Sequence, residues 1–91
     1  MPVIDRARIN AAITAYVSVQ FLDESELSEL EQETPLLDWG VLNSMNTSML
    51  LAYIRKEFGV TVPPAHITWR HFQSLKSITE LVHDLSAQQT A

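Results

Sequence analysis

Apolar residues in this chain recur at helical spacing in three separate segments, and no segment reads as a strand. Ile9, Ile13, Tyr16 and Val17 fall at i, i+4, i+7 and i+8, one face of a helix predicted from about Asp5 to Phe21, with Asp5 as its N-cap. A second helix is predicted over Ser44 to Phe58. Asn43 or Ser44 can cap its start, and Gly59 ends it. Leu75, Ile78, Leu81, Val82 and Leu85 form the core stripe of a last helix capped by Ser74. A short helix is expected at Trp69 to Gln73 after Thr68. Val60 to Pro64 reads as extended, because prolines oppose helix. Helices of this length are held mainly by packing on one another. The expected fold is therefore all-α, a small four-helix bundle of three longer helices and one short one.

A long loop separates the first two helices. It opens with Asp23, Glu24, Glu26, Glu29, Glu31 and Glu33, six acids in eleven residues. It closes with the apolar stretch Leu36 to Leu42, which can pack on the helices and hold the loop down. A short helix around Ser25 to Glu31 also fits. The whole chain, 1–91, is read as one domain, with its core over about 5–85 and a flexible tail over 86–91.

Charge and composition exclude several functions. The net charge of −5 opposes nucleic acid as a partner, since phosphate binding needs clustered Lys and Arg. No apolar run approaches the ~20 residues of a membrane span, and Met1 to Asp5 do not begin a signal peptide. With no cysteine there is no disulfide or thiolate chemistry, which fits a cytoplasmic protein. His66, His71 and His83 do not have the spacing of a helical metal pair, so no metal site is expected. No Gly-x-Ser-x-Gly pattern surrounds Ser44, so no hydrolase nucleophile is expected, and with no other catalytic constellation in the sequence no catalytic residue and no enzyme are expected.

The second helix carries two stripes. Thr47, Leu50, Leu51, Ile54 and Phe58 make a core face. Met45, Met49 and Ala52, at i, i+4 and i+7, lie on another. A bundle this small covers one face fully, which leaves the second exposed beside Ser44. Flexible, polarizable methionine suits a surface used by several partners. The plainer alternative is that Met45 and Met49 fill the core. Ser44 likewise reads as a helix cap on composition alone. Trp39 and Trp69 read as packing residues, with Trp39 also able to border a group held near Gly40.

The segment Trp39-Gly40-Val41-Leu42-Asn43-Ser44-Met45-Asn46-Thr47 resembles the modification site of acyl and peptidyl carrier proteins. Gly40, Asn43, Ser44 and Met45 stand where that family places Gly, Asp, Ser and Leu. Glu57 to Pro63 resembles the family's helix end and following loop, and Phe72 to Ile78 its entry to the last helix. The resemblance implies an acyl-carrier-type bundle with 4'-phosphopantetheine carried covalently on Ser44. A phosphopantetheinyl transferase would install it, and its thiol would hold an acyl, aminoacyl or peptidyl thioester. Partners would be a loading enzyme (an adenylation enzyme or acyltransferase) and downstream synthase or tailoring enzymes, in polyketide, nonribosomal peptide or related biosynthesis. Asn43, Met45, Met49 and Ala52 would form the partner surface of a discrete, monomeric carrier. Asn43 in place of Asp puts the identity of the transferase in question and keeps open an unmodified interaction module of the same fold.

Overall fold

The computed structural model describes residues 5–89; Met1 to Ile4, most of the segment read for a signal peptide, and the last two residues lie outside them. The elements in order are α1 (Arg6–Phe21), α2 (Glu24–Leu27), α3 (Ser44–Phe58), a 3-10 turn (Pro64–His66), α4 (Trp69–Phe72) and α5 (Leu75–Gln89). No strand occurs among the described residues. The bundle is the expected all-helical one, with three long helices and two short ones.

Each long helix starts where the sequence supplies a cap. The Asp5 carboxylate accepts the Ala7 amide at 3.0 Å at the head of α1. The Ser74 hydroxyl accepts the Ser77 amide at 3.2 Å at the head of α5. Gly59 closes α3 with φ +68°, the left-handed conformation that favours glycine, and its amide bonds back to the Arg55 carbonyl. Between these ends the apolar stripes meet. Ile9, Ile13 and Val17 of α1, Leu50 and Ile54 of α3, and all five predicted residues of α5 are buried. Thr47, Leu51 and Phe58 are half-buried at the edge of the same face. Tyr16 stacks on Tyr53, with ring centroids 4.2 Å apart, and joins α1 to α3 beside the core.

The acidic half of the long loop contains α2, shorter than the expected span to Glu31. Its start is a capping box, in which Asp23 and Glu26 each accept the other's backbone amide. The apolar half folds down as expected. Leu36 is fully buried, and its amide donates to the Gln73 carbonyl at 2.8 Å. Val41 and Leu42 both donate to the Leu36 carbonyl and are buried too. Gly40, at φ +74°, makes the reversal that returns the chain to the head of α3.

Three expectations are corrected. The stretch 86–89 is not a tail: α5 continues to Gln89, and Ser86 is fully buried because the same helical face continues one turn past Val82. Pro64 does not extend the chain. It opens the 3-10 turn, where its fixed φ and missing amide cost nothing in the first position. Trp69 is not a packing residue, since it is 66% exposed. Thr68 precedes α4 without a side-chain cap bond, and that helix ends at Phe72.

Candidate functional site

Ser44 is the first residue of α3, and the structure decides what caps it. The Asn43 side-chain oxygen accepts the Asn46 amide at 2.9 Å. The Asn46 carboxamide in turn donates to the Val41 carbonyl at 2.8 Å, tying the loop to the helix. Asn43 therefore does the capping. Ser44 is left exposed, with no hydrogen-bond partner for its hydroxyl among the described residues.

The same cap leaves donors open. With the Asn46 amide taken, the amides of Ser44 and Met45 have no acceptor among the described residues, as the first turn of a helix dictates. They stand at the positive end of a 15-residue helix. A phosphate ester on the Ser44 hydroxyl fits this place, because it meets open amides and a favourable dipole. Asn43 caps as well as Asp does but adds no negative charge beside that phosphate.

The second stripe is exposed. Met45 is 72% and Met49 40% exposed, and Ala52 faces solvent as well. This removes the alternative that the two methionines fill the core. Farther along, Arg55 and Lys56 lie in the last turn, where cations suit the helix dipole.

Ser44 also opens onto a cleft of about 440 Å³ between α3 and α4. Leu37, Leu51, Ile67, Trp69 and Phe72 give it apolar walls, with Thr47, Ser48 and Thr68 among them. Trp39 does not line this cleft; Trp69 does. Sequence reasoning missed Trp69 because a four-residue helix gives no periodicity that tells its inner face from its outer one. A larger and more polar cleft, about 650 Å³, lies elsewhere and includes His66 and His71, whose ring centroids are 5.3 Å apart. The 3-10 turn brings together two histidines that sequence spacing had separated. On α5, Glu80, His83 and Asp84 bring ligand atoms within 4.8 Å of one another. That is ordinary helical neighbourhood, and Glu80 is already bonded by Arg6 at 2.8 Å.

Comparison with protein families finds one described as "Phosphopantetheine attachment site", matching residues 17–85. The chain belongs to this family. Its domain is the attachment site for 4'-phosphopantetheine bound covalently to a serine, so the chain is a phosphopantetheine carrier that works with partner enzymes. No curated protein matches it. Among solved structures, the carrier is similar to a chain in one described as "Crystal structure of FAD-dependent dehydrogenase". The two are 31% identical with a TM-score of 0.72, over 78% of this chain and 99% of that one. Among the described residues of the carrier, no helix is long and apolar enough to cross a membrane.

Proposed function

We propose that Ser44 is the attachment serine, and that this non-catalytic carrier holds an acyl, aminoacyl or peptidyl group for other enzymes. One observation carries the choice of serine: Asn43 caps α3 and leaves the exposed Ser44 hydroxyl uncommitted at the head of a long helix. The other serines of the matched stretch are less suited. Ser25, Ser28 and Ser48 donate to Asp23, Ser25 and Ser44 respectively. Ser74 is buried and bonded to Ser77, and Ser18 is half-buried in the last turn of α1.

When bound, the group supplies a terminal thiol that carries cargo as a thioester. The chain's own residues fix where it is rooted. The Ser44 oxygen attacks phosphorus in coenzyme A, the adenosine bisphosphate leaves, and the hydroxyl proton passes to the transferase. The open amides of Ser44 and Met45 would hold the phosphodiester of the attached group. Tethering raises the effective concentration of cargo at each partner's active site. Met45, Met49 and Ala52, with Asn43, present an apolar surface to those partners. That surface, without acidic side chains, favours polyketide, nonribosomal peptide or related biosynthesis in the cytoplasm over fatty-acid synthesis.

The test is intact mass after incubation with coenzyme A and a broad-specificity phosphopantetheinyl transferase. A gain of one phosphopantetheine, absent from Ser44→Ala, is the expected result. No gain in a tube where a known carrier is modified favours the unmodified interaction module.

The solved structure suggests one partner. Its matched chain is about 72 residues long, since 78% of 91 residues cover 99% of it. That is below the roughly 100–150 residues of a common single domain. We infer that this carrier's cargo also meets a flavin dehydrogenase. A thioester acidifies its α-carbon. Loss of that proton, with hydride passing from the β-carbon to FAD, forms the double bond and reduces the flavin. Anaerobic mixing of loaded carrier with such an enzyme should bleach oxidised flavin, and unloaded carrier should not.

A further inference from the structure

His66 and His71 belong to different elements, yet their ring centres lie 5.3 Å apart. Two local structures bring them together. Pro64 opens the 3-10 turn that ends at His66, and the His66 amide donates to the Pro63 carbonyl at 2.9 Å. Thr68 then starts α4, and the His71 amide donates to the Thr68 carbonyl at 3.1 Å. Short-range bonds thus fix both backbones before either ring has a partner. Both side chains are half-buried, and neither imidazole has a hydrogen-bond or ion-pair partner among the described residues. The pair lines the polar cleft of about 650 Å³, which also holds the carboxylates of Glu33, Glu80 and Asp84.

We propose that His66 and His71 together bind a divalent transition-metal ion of the zinc class. Metal–nitrogen bonds of about 2.0–2.1 Å at a tetrahedral angle set two imidazole centres about 5 Å apart, which is the spacing of this pair. Imidazole nitrogen suits such ions, whereas magnesium and calcium take oxygen ligands. Two positions remain for water or for a carboxylate of the cleft, where Glu33, Glu80 and Asp84 outnumber the cations Arg70 and Lys76. The neighbourhood of Glu80, His83 and Asp84 on α5 differs in kind: its ligands share one helix, and Arg6 already holds Glu80. An ion between His66 and His71 joins two elements and fastens the 3-10 turn to α4. Ile67 and Phe72, the next residues in the chain, wall the cleft at Ser44, so the ion would stiffen that wall from outside it. The site does not depend on which serine is modified.

The test is calorimetric titration of the tag-free protein with zinc chloride and, separately, with magnesium chloride. Zinc should bind with micromolar affinity, and magnesium should not bind. His66→Ala and His71→Ala should each weaken zinc binding roughly tenfold or more, as losing even an outer contact to a metal ligand does. His83→Ala should leave it unchanged, with circular dichroism confirming that all three are folded. Zinc should also raise the melting temperature of the parent, and not that of the variant lacking both His66 and His71. Ring-nitrogen NMR of the parent needs no variant to fold: zinc should shift the His66 and His71 signals together. Zinc affinity that survives His66→Ala but falls in His83→Ala would overturn the site and put the ion on α5. Absence of zinc binding, or His66 and His71 signals that stay in place at saturating zinc, would overturn it as well.

Discussion

The Asn43 side-chain oxygen accepts the amide of Asn46 at 2.9 Å, and that single bond determines what Ser44 is free to do. Removing it should cost stability and disturb the site together. Asn43→Ala is expected to lose about 1 kcal/mol. In a domain of this size that lowers Tm by roughly 4–8 °C. Asn43→Asp keeps the cap, so its Tm should match or exceed the parent's, while transferases that read an acid beside the serine should act on it faster. Thermal melts with timed mass spectrometry check both. An unchanged Tm in Asn43→Ala would mean that Ser44 can take over the cap.

Met49 faces solvent on the stripe that begins at Met45. Met49→Glu should weaken turnover by partner enzymes several-fold while moving stability by no more than about 0.5 kcal/mol, as surface substitutions do. Saturation kinetics with the transferase and a thermal melt separate the two. A large fall in Tm would make Met49 a core residue after all.

The loop before the site hangs on Leu36. Leu36→Ala removes a fully buried side chain and should cost about 2–5 kcal/mol, a large share of a small domain's stability. Gly40→Ala should cost less, about 1–2 kcal/mol. An added methyl would meet nothing within 4 Å there, so only the left-handed backbone resists it. Urea unfolding of the two variants should rank them in that order.

Asp23 is an exposed cap whose carboxyl lies below the ordinary aspartate value, first through the Glu26 amide and next through the Ser25 hydroxyl. A depressed folded-state pKa means that its contribution is complete above the ordinary value. The contribution is lost as pH falls through the lower, folded one. The stability gap between the parent and Asp23→Ala should therefore be constant near neutrality and close on acidification. A gap that persists in strong acid would show that the charge is not what caps α2.

The long elements were legible because periodicity and capping agree there. Asp5, Ser74 and Gly59 bound helices whose predicted core stripes are buried or half-buried. The capping box Asp23-x-x-Glu26 was visible in the sequence too, but the acid run around it reads first as a solvated loop. What could not be read was set by tertiary contact. A single turn such as α4 carries no periodicity, so the exposure of Trp69 depends on how the turn sits against α5. Ser86 looks like the start of a polar tail, yet it is buried because the face of α5 continues past Leu85. Neither whether Asn43 or Ser44 caps α3, nor the cleft that Ser44 shares with Trp69, can be derived from spacing along the chain.

The partnership of α1 with α5 sets the order of events during synthesis. Ile9, Ile13 and Val17 are made first, yet much of the surface that covers them belongs to the last helix, through Leu85 and Ser86. A nascent chain that has passed Phe58 lacks the last helix against which α1 packs and cannot close a core. It stays open to chaperones and proteases until α5 has cleared the ribosome. Ser44 is then already made while the helix it heads has no finished domain to pack in. A transferase that required the closed bundle would spare such fragments, and coenzyme A would be spent on completed carriers alone.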